Sequence, residues 1–124
     1  MWRPAMMNRP WSEIRQSYER HSDASMAHDM LQLIKAIEAS RYACGLFAWK
    51  SMHTLCITQT PEVEYPYFGP ILRVSADSPG ELTFRYFDGS QREERWHRTV
   101  SVDDAFARLE TFIAERRWFM PNSR

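Results

Sequence analysis

Residues 71–100 read ILRVSADSPGELTFRYFDGSQREERWHRTV, and turn signals cut the stretch into runs rich in β-branched and aromatic residues. Ser78-Pro79-Gly80 offers Pro and Gly at the two central positions of a type II turn. Asp88-Gly89 is the strongest short-range hairpin signal in the chain. The expected structure is an antiparallel meander of Ile71–Ala76, Glu81–Phe87 and Gln91–Val100. A three-residue loop, Asp88-Gly89-Ser90, sets Arg85 opposite Glu93, Thr83 opposite Arg95 and Leu82 opposite Trp96, better pairing than a two-residue loop gives. Leu72, Val74, Leu82, Phe84, Tyr86 and Trp96 then face the core. Arg73, Thr83, Arg85, Glu93, Arg95 and His97 share the outer face.

Upstream, residues 60–70 read TPEVEYPYFGP, a loop by chemistry, because each of its prolines removes a ladder donor. It carries Tyr65, Tyr67 and Phe68 beside Glu62 and Glu64, rings on a stiffened loop that suit either a partner surface or a cover for the core edge. From Leu46 to Thr58 the texture is strand-like, and the run is long for one strand, so a bend or turn is expected near Lys50–Met52. Phe47, Trp49, His53, Leu55 and Ile57 share one parity and are expected inside; Lys50, Thr54 and Thr58 take the other.

Met26, Met30, Leu33, Ile34 and Ile37 recur at helical spacing and predict an amphipathic helix capped by Ser22 or Asp23, with Asp29 early enough to favour the helix dipole. Trp11, Ile14 and Tyr18 predict a shorter helix that starts at Pro10. At the other end Ser101-Val102-Asp103-Asp104 resembles a capping box. Phe106, Leu109, Phe112 and Ile113 give the apolar face of the helix it opens, Arg116 and Arg117 sit in its last turn, and Pro121 stops it. The expected class is α+β: two N-terminal helices, a four-stranded, mostly antiparallel sheet and a C-terminal helix packed on one sheet face. Residues 1–10 read as a flexible arm, 11–120 as one domain and 121–124 as a tail.

Composition narrows the function classes. The 16 basic and 16 acidic residues cancel, so no global field draws the chain to polyanions. Arg outnumbers Lys, whose only copies are Lys35 and Lys50. The guanidinium fork suits carboxylates and phosphates, although GC-rich codons explain the bias more plainly. The start has no apolar core of a secretory signal, and the longest apolar run, Tyr42–Trp49, is far short of the ~20 residues of a membrane helix. Cys44 and Cys56 then read as reduced core thiols, and the expected compartment is the cytoplasm.

No catalytic pattern stands out. His53 and Cys56 are three apart on a strand and point to opposite faces, so they cannot share a metal. Neither His53 nor His97 is paired by spacing with a base or nucleophile, and no glycine-rich phosphate loop occurs. No cofactor, metal or catalytic residue is expected. By analogy with small neutral α+β domains, the first expectation is a protein–protein interaction module, with a cognate inhibitor of a bacterial toxin as one form of it. Its surface would comprise Glu62, Glu64, Tyr65, Tyr67, Phe68, Arg73, Arg85, Arg95 and His97. The alternative is a small-ligand domain or small enzyme with a pocket between sheet and helices near His53 and Trp49. Self-association through the sheet is compatible with both. A nucleic-acid contact by Arg15, Arg20, Arg116 and Arg117 is the weakest option.

Overall fold

In a computed structural model, which describes residues 8–20, 25–61, 70–88 and 94–118, the chain is an α+β domain with an antiparallel sheet of five strands. The strands are β1 (Phe47–Ser51), β2 (Thr54–Thr58), β3 (Ile71–Ser78), β4 (Glu81–Phe87) and β5 (Glu94–Ser101), and they lie side by side in chain order. The helices are α1 (Trp11–Glu19), α2 (Ser25–Glu38) and α3 (Val102–Arg116), with a short 3₁₀ turn at Arg41–Cys44. Residues 8–10, assigned to the arm, lie along the β1 edge, where the Arg9 N–H donates to the Ala48 carbonyl at 2.8 Å. The proposed 121–124 tail lies outside the described residues.

Both strand junctions of the meander carry a one-residue irregularity, and the hydrophobic alternation explains why. At the first turn Ser78 pairs with Glu81, and Gly80 takes φ +78°, the left-handed value the second central residue of a type II turn requires. A ladder continued strictly from there would set Val74 opposite Arg85. The register instead shifts between Ser75 and Ser78, so Val74 faces Phe84 and Leu72 faces Tyr86, all on one side. The same device recurs between β4 and β5. Phe87 pairs with Glu94 but Tyr86 pairs with Trp96, leaving Arg95 unopposed.

The β4–β5 register differs from the expected one by four residues: Arg85 lies opposite His97, Thr83 opposite Thr99 and Leu82 opposite Val100. Gly89, Ser90 and Glu93, on which the expected loop and pairing rested, lie outside the described residues. An even shift preserves faces, so Leu82, Phe84, Tyr86 and Trp96 still point to the helices.

The 46–58 segment is a hairpin rather than one strand, which raises the strand count from four to five. Ser51 pairs with Thr54 across Met52–His53, and Met52 adopts φ +58° to close the turn. Crossing that tight turn reverses the parity. Ala48 pairs with Ile57 and Lys50 with Leu55 on the helix side, while Trp49 pairs with Cys56 on the opposite side. Phe47 and Trp49 therefore do not face the helices, and Lys50 does not face away from them. Its Nζ donates to Ser17 Oγ at 2.9 Å and lies 4.8 Å from the centre of the Tyr18 ring. His53, expected inside, is exposed in the turn.

The core lies between the sheet and the helices. Ile14, Met30, Leu33, Ile34 and Ile37 meet Leu55, Ile57, Leu72, Val74, Leu82 and Phe84, all at most 2% exposed. Each such side chain is worth about 1.5–3 kcal/mol of transfer free energy. Polar threads lock the helices in place: Trp11 Nε1 donates to the Leu46 carbonyl at 3.0 Å, and Arg15 Nε to Glu38 Oε1 at 2.7 Å. Gly80 joins both remaining helices to the meander. Its N–H donates to Asp29 Oδ2 at 2.8 Å, and its carbonyl accepts from the Val102 N–H at 3.0 Å. Ser22, Asp23 and Pro121, the expected cap and stop residues, lie outside the described residues. At α3 the capping-box residues bond each other, Ser101 Oγ to Asp104 Oδ2 at 3.1 Å, in place of the backbone. That helix ends on Arg117 at φ +56°, and Arg116 lies 4.8 Å from the centre of the Tyr86 ring.

Candidate functional site

Among the described residues the helices occupy one sheet face only, and alternation sends a band of polar side chains to the other. Arg73 on β3 lies opposite Arg85 on β4, which lies opposite His97 on β5, so three basic residues run in one row across the sheet. Like charges directly opposite one another on adjacent strands are unfavourable. Neighbouring acceptors draw Arg85 aside: its guanidinium reaches Asp77 Oδ2 at 2.9 Å, Ser75 Oγ at 3.2 Å and Glu94 Oε1 at 3.6 Å. Glu94 also meets His97 Nδ1 at 2.7 Å. Hydrogen bonds from Ser75 and then Arg85 hold the Asp77 carboxyl below the usual carboxylate range, so it is ionised at neutral pH.

Arg73 differs from its neighbours. It is exposed, it meets no carboxylate among the described residues, and its guanidinium carbon lies 5.3 Å from the centre of the Phe87 ring. Phe87 belongs to a second apolar cluster, with Trp49, Cys56 and Ile71, on this same helix-free side. Cys56 is 2% exposed, and burial pushes its thiol up to about 11, with Arg73 pulling the other way. Arg73 thus stands at the border between an apolar cluster and a charged network.

Of the residues expected to bind a partner, Arg73, Arg85 and His97 come together. Arg95 falls in the β5 irregularity and turns to Asp88 Oδ1 at 2.9 Å, outside the row. Glu62, Glu64, Tyr65, Tyr67 and Phe68 lie outside the described residues. Sequence reasoning missed Ser75, Asp77 and Glu94, the groups that organise the row. Ser75 and Asp77 share the parity of Arg73 and were within reach of that rule. Glu94 reaches this face only through the irregularity at Arg95. Of the arginines considered for nucleic acid, Arg15 is tied to Glu38 and Glu19, and Arg116 lies over Tyr86 and Phe112.

Cys56 is buried as expected, whereas Cys44 is exposed on the 3₁₀ turn, its thiol donating to the Arg41 carbonyl at 3.2 Å. Among the described residues no group of three or more His, Cys, Asp or Glu side chains could hold a metal ion, and no helix is long and apolar enough to cross a membrane.

A cavity of about 290 Å³ opens at the end of the sheet. It arises because the β2–β3 ladder stops at Val74 while β3 runs on to Ser78, leaving a notch beside Thr54. The Tyr18 ring and the start of α2, at Met26, Ala27 and Met30, close the notch from the helix side. The pocket expected between sheet and helices thus exists near His53, but Trp49 is not part of it. No protein-family model, no curated protein and no solved structure matches this chain.

Proposed function

We propose that the chain is a cytoplasmic protein-binding module whose contact surface is the helix-free sheet face, and that it recognises an acidic surface on its partner. A cognate inhibitor of a bacterial toxin is one form this function takes. The observation that carries the reading is the pair Arg73–Arg85. Folding alone gains nothing from two guanidinium groups placed opposite each other, and an anionic partner turns that arrangement into an attraction. Arg73 has the geometry of an interface anchor, with its guanidinium over the Phe87 ring and its donors meeting no carboxylate among the described residues. The adjoining cluster, with Trp49, Cys56 and Ile71 buried, backs the Phe87 ring on which Arg73 rests. Two free thiols, one of them exposed, suit a compartment that keeps cysteines reduced.

The test begins with a tagged chain recovered from its native cell and identification of what accompanies it. The partner is then purified and titrated with wild-type chain and with the R73E/R85E double variant. Reversing both charges is expected to weaken binding at least tenfold, and wild-type affinity should fall with added salt. Equal affinity of the two chains, with the variant's circular dichroism unchanged, would defeat the proposal.

A further inference from the structure

The notch at the sheet end has the attributes of a small-molecule site, and it owes nothing to the partner reading. We infer that it binds an uncharged, largely apolar molecule with the bulk of a phenylalkanol, seated on the helix side against Tyr18, Met26, Ala27, Met30 and Ala76.

The apolar stripe of α2 points to an occupant. Met30, Leu33, Ile34 and Ile37 are each at most 1% exposed, whereas Met26, which opens the stripe, is 49% exposed. Among the described residues Met52 is the one other large apolar side chain so exposed, and it lies in the β1–β2 turn. Met26 borders a cavity instead, where the β2–β3 ladder ends at Leu55 and Val74. A molecule seated there would take Met26 out of water, as the sheet does for the rest of the stripe.

Size and walls limit what fits. An apolar cavity of about 150 Å³ takes up one benzene ring, so about 290 Å³ takes a molecule of roughly twice that bulk, near the lower end of ligand pockets. Tyr18, Ala27 and Met30 are at most 8% exposed and belong to the packed core, so this wall is already formed. The two methionines, unbranched and polarizable, adapt to the shape of what they meet.

The lining also excludes charge. Among the described residues no Lys or Arg lines the notch, so an anionic head has no counterion there. Asp77 is the one carboxylate of the lining, and it belongs to the helix-free face, engaged by Ser75 Oγ at 2.7 Å and by Arg85 at 2.9 Å. An ammonium head on the helix side therefore meets no free acid either. Taking an unpaired charge out of water against apolar walls is costly, whereas an uncharged hydroxyl can stay at the wet mouth.

The experiment titrates the full chain, its methionine methyl groups isotopically labelled, with 4-phenylbutanol and in parallel with 4-phenylbutylamine and 4-phenylbutyrate. Saturable binding of the alcohol is expected with a Kd between about 10 μM and 1 mM, as suits a ligand of this size. The Met26 and Met30 methyl resonances should move more than those of any other methionine. Amine and acid should both bind at least tenfold more weakly than the alcohol. Ala76→Leu narrows the notch and should weaken the alcohol at least tenfold. Absence of saturation at 5 mM alcohol, larger shifts at other methionines, or equal affinity for the alcohol and either charged analogue would each overturn the inference. So would a folded Ala76→Leu chain that binds as wild type does, or Met26 shifts that follow protein concentration without any ligand, the sign of a second copy in the notch. Because the wild-type titration decides on its own, the inference stays testable if Ala76→Leu fails to fold.

Discussion

Raising the pH through the range where thiols ionise should destabilise this protein, and Cys56 should account for a measurable part of the loss. In the unfolded chain the thiol titrates at its ordinary value of 9.0; in the folded chain, sealed beneath Trp49 and Ile71, it titrates at about 11. Below pH 9 both states keep the proton and the group contributes its full stabilisation. Between 9 and 11 the unfolded state releases the proton first, so stability falls as pH rises. At about 1.36 kcal/mol per pH unit the loss is about 3 kcal/mol, and with Cys56 only 2% exposed little of it is screened by solvent. Urea titrations at pH 8, 9, 10 and 11 measure it, with Cys56→Val as reference because valine fits a strand and titrates nothing. Burial also raises the Tyr18 hydroxyl, so both chains lose stability at the alkaline end. The difference between the two profiles isolates Cys56, and it should grow by about 2–3 kcal/mol from pH 8 to pH 11. Parallel profiles would refute the sealed cluster. A thiol reagent gives an independent reading: at pH 8 Cys44 should react at once and Cys56 only when urea unfolds the chain.

Two further substitutions test the fold. Ala48→Glu places an unpaired carboxylate against the helices and should cost more than about 4 kcal/mol, whereas Phe47→Glu, on the other side of β1, should cost about 1 kcal/mol; thermal melts of the two variants compare them directly. Gly80→Ala meets no atom within 4 Å at its new Cβ, so only the left-handed backbone is strained. That strain, about 1–2 kcal/mol, is partly offset by lower entropy in the unfolded chain, and a net loss of about 1 kcal/mol should lower Tm by roughly 4 °C.

Much of what was and was not legible in the sequence follows from the parity of side chains on strands. Leu72, Val74, Leu82, Phe84, Tyr86 and Trp96 were legible as core because their alternation survives any even shift of register. The four-residue error between β4 and β5 consequently left Leu82, Phe84, Tyr86, Trp96, Arg85 and His97 on their expected faces, while Arg95 fell out of the row at the irregularity. The 46–58 hairpin was legible only as a bend or turn near Lys50–Met52, because Ser51-Met52-His53-Thr54 has no Gly, Pro, Asn or Asp to fix the turn and its residues. Missing its place inverted Phe47, Trp49 and Lys50 together. The Arg73–Arg85–His97 row followed from alternation, but the acceptors that shape it did not, since Glu94 depends on a one-residue irregularity that no turn signal marks. The cavity was legible only as a location near His53. Its walls depend on how far β3 outruns β2, a tertiary fact.

The chain-order sheet bears on how the polypeptide is made. Every strand has its sequence neighbour as its spatial neighbour, so each pair can close over a connection of at most 12 residues soon after synthesis, without waiting for a distant segment. The Gly80 links work on the opposite scale: they join Asp29, from early in the chain, to the start of α3. The ribosome must therefore deliver nearly the whole protein before the last helix can settle, and a truncated product would present its half-built core to the cell's proteases.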